Sequence, residues 1–263
     1  MLNFSEFVDL PLIWGGIVAF VIFLYVLLDG FDLGVGILFP FAPSDECRNK
    51  MMNSVAPFWD GNETWLVLGG GALFAAFPLA YAVLMPAFYL PLILSLLGLI
   101  FRGVAFEFRF KAHGNSRKLW DYGFHFGSLM AAFFQGMMLG TFVQGVPVVG
   151  RTFSGTGFEW LSPFSMASGI ALLFGYGLLG STWLIMKTDG KTQIWARKSA
   201  LYLLCYVTFF MGLVSLWVPF LKEEIQHRWF SLPNFYYLLP VPLLTLFVIY
   251  KLYQAIITHQ EVI

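Results

Sequence analysis

The sequence has few charged residues, few histidines and few cysteines. Of its 263 residues only 11% are charged and 59% are hydrophobic, including 30 phenylalanines, whereas a typical soluble domain is about 25% charged. So few charges cannot cover that much apolar surface in water, which excludes a soluble globular domain. The formal net charge is zero, so nothing favours a nucleic-acid partner. The two cysteines, Cys47 and Cys205, are predicted to be free thiols, one in a loop and one in a membrane segment.

Long apolar runs dominate the chain instead. A membrane-spanning helix needs about 20 mostly apolar residues. The sequence predicts seven such segments, near residues 12–38, 60–84, 86–107, 120–143, 161–186, 195–219 and 233–256. Helices are favoured because barrel strands would alternate over about ten residues, and Pro86 is predicted to separate segments two and three. We therefore predict an all-α polytopic membrane bundle of about seven helices, in one integral membrane domain over residues 1–263.

The distribution of basic residues predicts an orientation. The loops after segments one, three and five and the C-terminal tail together hold eleven lysines and arginines, and the opposite side holds three. By the positive-inside rule the N-terminus is expected outside, on the periplasmic face, and the C-terminus in the cytoplasm. The acidic stretch MLNFSEFVDL is not typical of a secretory signal peptide.

Ionisable side chains interrupt the first three apolar runs at a similar depth. These residues are Asp29, Asp32, Asp60, Glu63, Arg102 and Glu107. Asp29 and Asp32 are three residues apart, as are Asp60 and Glu63, so each pair shares a helix face. A charge at the centre of a membrane helix costs roughly 2.5–3.5 kcal/mol and is usually paired. We therefore expect the five carboxyls to meet around Arg102, with Arg102 and Asp60 forming an ion pair.

Linked carboxyls within a membrane are typical of a proton relay. Trp59 and Trp65, which flank Asp60 and Glu63, are expected to keep water scarce around them. An alternative interpretation makes Asp60 a helix cap and leaves Glu63 and Glu107 solvated at the interface.

The four histidines do not indicate a haem or metal site. They are His113, His125, His227 and His259. No two have the i, i+4 spacing of helical metal ligands, and only His125 lies within a predicted segment. A hydrogen-bonded packing role is favoured for His125, and no metal site is predicted.

Six stretches of the sequence carry a family resemblance. They are DGFDLGVG at 29–36, NSVAPFWDGNETWL at 53–66, GGALFAAFPLAYA at 70–82, FRGVAFEFR at 101–109, WDYGFHFGS at 120–128 and FVQGVP at 142–147. Together, and in this order, they closely resemble subunit II of the cytochrome bd ubiquinol oxidases. The resemblance is dense over residues 11–147 and looser afterwards. The short form is most similar to the cyanide-insensitive branch.

The resemblance implies a bacterial respiratory oxidase in the cytoplasmic (inner) membrane that oxidises quinol and reduces dioxygen to water. In this family subunit I carries haem b, haem d and the quinol-oxidation site, and subunit II carries no haem ligand. The expected partners are therefore subunit I, ubiquinol or another quinol, membrane lipid and, in some members, a small single-helix accessory subunit. Some members also bind a structural quinone in subunit II.

The resemblance also implies that subunit II supplies an acidic proton route from the cytoplasm. It assigns Asp29 and Asp60 to that route, followed by Asp32 and Glu107; Trp59, Glu63 and Arg102 are expected to support them. Family members usually continue through a further pair of helices, whereas this chain stops at HQEVI, so those helices are expected to be absent.

Two other functions remain open from the residues alone. Glycine-rich helices with intramembrane carboxyls also suit a proton-coupled secondary transporter. A scaffolding subunit whose carboxyls serve only as ion-pair partners is the third candidate.

Overall fold

The computed structural model describes residues 9–258 and is almost entirely helical there. The helices are α1 (Leu10–Leu38), α2 (Asp45–Val55), α3 (Trp59–Ala76), α4 (Pro78–Ala87), α5 (Tyr89–Arg109), α6 (Asn115–Gln144), α7 (Pro163–Lys187), α8 (Gly190–Trp217), α9 (Glu223–Phe230), α10 (Asn234–Leu238) and α11 (Pro240–Ile257). The strands β1 (Val148–Val149) and β2 (Thr152–Phe153) form a short antiparallel hairpin in the connection between α6 and α7.

Six helical units within residues 9–258 are long and apolar enough to cross a membrane. They are α1, α5, α6, α7, α8 and the α10–α11 unit. The second predicted segment corresponds to two consecutive helices, α3 and α4. Both are apolar, and neither is among the six candidate spans. The all-α polytopic membrane bundle predicted from the sequence is confirmed.

The second predicted segment, 60–84, is wrong as a single helix. The structure breaks it at Phe77, whose backbone angles (φ −132°, ψ 60°) are not helical, and α4 begins at Pro78. A proline disfavours the helical conformation in the residue before it, which explains the break. Pro86 lies inside the last turn of α4, and the separation from α5 comes at Phe88.

The region of Cys47, predicted to be a loop, is the amphipathic helix α2. Ser44 caps it by accepting a hydrogen bond from the backbone N–H of Cys47 at 3.2 Å, and Asp45 and Glu46 lie in the first turn, where acidic residues stabilise a helix. Its apolar side chains, including Met51 and Met52, are fully buried. This helix packs against α1, α7 and α8 and is not among the helices long and apolar enough to cross a membrane.

Helix α1 contacts α3, α6 and α7, and most of its buried residues lie in its C-terminal half. Glycine permits its closest approach: a Cβ at Gly34 would lie 1.8 Å from the carbonyl oxygen of Tyr176 on α7. Gly180 faces Gly34 in the same way, since a Cβ there would lie 2.4 Å from the Gly34 carbonyl carbon. Small residues at helix contacts allow such backbone proximity in membrane bundles. The result is a tightly held α1, on which Asp29 and Asp32 are placed.

Candidate functional site

Arg102 is fully buried and binds two carboxylates from different helices. Its Nη1 donates to Asp29 Oδ1 at 2.7 Å, and its Nη2 donates to Glu63 Oε2 at 3.1 Å. Arg102 and Asp29 have no exposed side-chain surface, whereas the side chain of Glu63 is 27% exposed. The guanidinium of α5 therefore ties α1 to α3 in the interior of the bundle.

Asp32 is the second fully buried carboxyl, and its partner is an amide. Asn62 donates from Nδ2 to Asp32 Oδ2 at 2.7 Å and, less closely, to the backbone oxygen of Leu28 at 3.3 Å. Asp32 is 0% exposed. It thus sits one turn from Asp29 and interacts electrostatically with both Asp29 and Arg102 without a cation bound to it directly.

The charges in this group do not cancel. Three carboxyls, those of Asp29, Asp32 and Glu63, surround the single guanidinium of Arg102. Asp29 Oδ2, Asp32 Oδ1 and Arg102 Nε are buried without a hydrogen-bond partner among the described residues. The group therefore carries a net negative charge when all three carboxyls are ionised. We call Asp29, Asp32, Glu63 and Arg102 the Arg102 cluster.

Aromatic packing joins the start of α3 to α5. The Trp59 ring stacks on Phe106 of α5, with centroids 5.0 Å apart and an interplanar angle of 12°. A Cβ at Gly103 would lie 3.3 Å from the Trp59 ring, so glycine at that position lets the indole lie against α5. Trp59 thus fixes the first turn of α3, one turn before Glu63, against the helix that carries Arg102.

The predicted ion pair between Arg102 and Asp60 is wrong. Asp60 is exposed, and within residues 9–258 its side chain forms no hydrogen bond or ion pair, with Asp29 or any other group. Glu63 binds Arg102 instead, because it lies three residues further along α3 on the same helix face. Asp60 is close enough to Glu63 to interact with it electrostatically.

Glu107 does not join the cluster either. Its nearest charged partner is Lys111, at 3.7 Å, and both side chains are largely exposed. Glu107 follows Arg102 by five residues on α5, which turns it to a different side of the helix. The expectation that all five carboxyls would meet is therefore wrong for Asp60 and Glu107.

A second group of polar residues, which the sequence reasoning missed, joins the ends of α2, α5 and α6. Fully buried Arg109 donates from Nε to Asp121 Oδ1 at 2.5 Å and from Nη1 to Asn49 Oδ1 at 2.8 Å. Arg117 donates to the same Asn49 oxygen at 2.6 Å. On the exposed surface nearby, Lys50 binds Asp189 at 2.8 Å, and this hydrogen-bonded carboxylate raises the pKa of Lys50 above its ordinary value. These contacts hold α2 against the bundle.

His125 is the histidine that the sequence places in a membrane segment. It is half-buried on α6, and its Nδ1 lies 3.2 Å from the backbone oxygen of Gly36. Among the described residues no group of three or more histidine, cysteine or acidic side chains could hold a metal ion.

The sequence reasoning also missed three hydrogen-bonded residues beside Asp29, which are Tyr25, Gln135 and Tyr176. They lie on α1, α6 and α7, so no local spacing brings them together. The signal in the sequence is Gln135, a polar residue within the apolar run of segment four. A buried amide needs hydrogen-bond partners, so this residue indicates a polar contact inside the bundle.

The fold and the cluster together define a polytopic α-helical membrane protein with a buried acidic group around one arginine. The family model for cytochrome bd terminal oxidase subunit II matches residues 10–262, and the chain belongs to this family. The resemblance found from the sequence motifs is thereby confirmed.

Curated relatives agree with the family. The chain is 35% identical over 218 residues to cytochrome bd-I ubiquinol oxidase subunit 2 of Escherichia coli K12, which covers 80% of this chain and 58% of that protein. It is 37% identical over 194 residues to cytochrome bd ubiquinol oxidase subunit 2 of Bacillus subtilis, covering 72% and 56%. A probable cytochrome oxidase subunit 2 of Haemophilus influenzae is 38% identical over 195 residues, covering 72% and 52%. The chain thus spans a little over half the length of these relatives.

Proposed function

We propose that this chain is a haem-free subunit of a bd-type quinol oxidase in a bacterial inner membrane. In this proposal the complex oxidises quinol and reduces dioxygen to water, and a partner subunit carries haems b and d. This chain supplies a proton route from the cytoplasm towards those haems. Family membership supports the complex, and the buried, charge-unbalanced Arg102 cluster is the observation that supports the proton route.

Burial increases along the proposed route. Asp60 is exposed at the first turn of α3, Glu63 is 27% exposed one turn later, and Asp29 is fully buried. Asp60 would collect protons, Glu63 would pass them into the bundle, and Asp29 and Asp32 would hold them. Carboxyls suit these steps because each can both donate and accept a proton, whereas an amide cannot.

Glu107 has a more peripheral place in the proposal. It is exposed and paired with Lys111, at the end of α5 that the basic residues assign to the cytoplasm. We place it at the mouth of the route, where it would attract protons without touching the Arg102 cluster. Trp59 has a supporting role, since its stacking on Phe106 positions α3.

The test replaces carboxyls by isosteric amides in the assembled complex. Asp32→Asn keeps an oxygen that can accept from Asn62 and leaves the Arg102–Asp29 ion pair in place, so assembly and haem content should be normal. Oxygen consumption driven by quinol should fall, on the order of 10²-fold if Asp32 acts as a proton carrier. Asp60→Asn should also be slow, and Asp60→Glu should retain part of the activity.

Asp189→Asn is the matched control, because Asp189 is an exposed carboxylate whose ion-pair partner is the surface residue Lys50. Normal turnover in both Asp32→Asn and Asp60→Asn would contradict the proton route. A scaffolding function, which the Arg102 ion pairs also favour, would instead show as normal turnover in Asp32→Asn and Asp60→Asn together with loss of the assembled, haem-containing complex in Arg102→Met.

A further inference from the structure

A second hydrogen-bonded group lies next to the Arg102 cluster. Gln135 donates from Nε2 to the Tyr25 hydroxyl oxygen at 2.6 Å, and the Tyr176 hydroxyl donates to Gln135 Oε1 at 3.2 Å. Tyr25 is 4% exposed and Tyr176 is 1% exposed. Polar groups this deep in an apolar bundle are costly unless they are hydrogen-bonded. The group therefore joins α1, α6 and α7 through a specific arrangement of donors.

Tyr25 faces Asp29 from the same helix. The two residues are four apart on α1, which places their side chains on one face, and they interact electrostatically. Arg102 binds Asp29 Oδ1, whereas Asp29 Oδ2 is buried without a hydrogen-bond partner among the described residues. Because the Tyr25 oxygen already accepts from Gln135, the hydroxyl hydrogen of Tyr25 remains free to be donated to Asp29.

We propose that Tyr25 is a positioning residue for Asp29, donating a hydrogen bond to its second carboxylate oxygen while Gln135 and Tyr176 hold the hydroxyl in that orientation. This rests on the proposed proton route and extends it by three residues outside the Arg102 cluster. Asp29 is then fixed between a guanidinium on one oxygen and a phenol on the other. A hydrogen bond to a carboxylate favours its charged form, so removing the phenol favours protonation of the carboxyl.

Among the described residues, ionisable groups from four helices face Asp29 or share its cluster. Arg102 reaches it from α5, Glu63 from α3 and Tyr176 from α7, while Tyr25 and Asp32 share α1 with it. The facing residue of α6 is neutral Gln135, whose amide orients Tyr25 and does not titrate. Removing the Tyr25 hydroxyl therefore removes one hydrogen-bond donor to Asp29 and leaves the charged side chains around Asp29 unchanged.

The test is the pH dependence of quinol-driven oxygen consumption by the assembled complex, normalised to haem content. Tyr25→Phe should assemble normally and move the pH of half-maximal turnover upward by about one unit, because a carboxylate loses one hydrogen-bond donor. Gln135→Leu should shift it in the same direction. The double variant should shift no further than Tyr25→Phe alone, because Gln135 acts through Tyr25. Tyr206→Phe is the matched control, since Tyr206 stacks on Phe174 away from the cluster, and it should leave the profile unchanged.

Three results would overturn the inference. An unchanged profile in Tyr25→Phe, with Asp32→Asn still slow, would remove Tyr25 from the mechanism and leave the proton route standing. Additive shifts in the double variant would show that Gln135 does not act through Tyr25. Loss of the haem-containing complex in both Tyr25→Phe and Gln135→Leu would make the three residues a structural clamp. Normal turnover in Asp32→Asn and Asp60→Asn would instead contradict the proposed function itself.

Discussion

Replacing Arg102 by methionine tests what the buried ion pair contributes to stability. The change removes the cation that lies 2.7 Å from Asp29 and 3.1 Å from Glu63 and keeps a long apolar side chain. Glu63 is partly exposed, so solvent reduces its share, and the fully buried Asp29 determines the cost. Breaking one buried pair typically costs about 3–5 kcal/mol, because the remaining charge is left without a partner. Arg102→Met should therefore lower the stability of the complex strongly.

The double variant Arg102→Met, Asp29→Leu supplies the control for this prediction. Replacing a buried ion pair by apolar residues of similar volume is often neutral or stabilising, so the second change should recover most of the lost stability. Thermal unfolding of the purified complex and the yield of haem-containing complex would measure both variants, and the two single changes complete a double-mutant cycle. A single Arg102→Met variant as stable as the unaltered complex would refute the reasoning. So would a double variant no more stable than the single one.

Three further predictions follow from single positions. Gly34→Ala should reduce assembled complex sharply, because its Cβ would meet the Tyr176 carbonyl oxygen at 1.8 Å, whereas Gly16→Ala, with nothing within 4 Å, should not; complex yield measures both. Ser116→Cys, in a Cys205→Ser background, should be labelled by an impermeant thiol reagent from the cytoplasmic face only, and labelling from outside would reverse the orientation. His125→Ala should leave the haem absorption spectrum unchanged, because the proposed function places the haems on the partner subunit; loss of a haem band in assembled complex would contradict this.

Much of the membrane architecture could be predicted because it depends on local sequence. The apolar runs predicted the ends of the spanning helices to within a few residues. The exception is segment 60–84, where a single residue interrupts the helix. The break at Phe77 had a signal in the proline that follows it, which was outweighed by the apolar character of the whole stretch. Helix α2 was missed because its low hydropathy was interpreted as a loop, although Ser44 and the acidic residues after it form a typical helix start.

The sequence predicts which residues belong to the site better than it predicts which of them contact each other. The burial of Asp29 and Asp32 followed from their place within an apolar run, and the structure places both at 0% exposure. Whether Asp60 or Glu63 binds Arg102 depends on the position of α3 along its axis relative to α5, which no local pattern specifies. The Gln135 hydrogen bonds link residues 110 and 41 positions apart, and such long-range contacts are set by helix packing.

The central claim is that buried carboxyls of the Arg102 cluster gain and lose protons as the oxidase turns over. Infrared difference spectroscopy between the oxidised and reduced states of the assembled complex measures this directly through the carbonyl stretch of protonated carboxyl groups. We expect a difference band in that region that shifts in heavy water, is lost or altered in Asp32→Asn and Glu63→Gln, and persists in Asp189→Asn. A band that is the same in Asp32→Asn and Glu63→Gln as in the unaltered complex would contradict the claim.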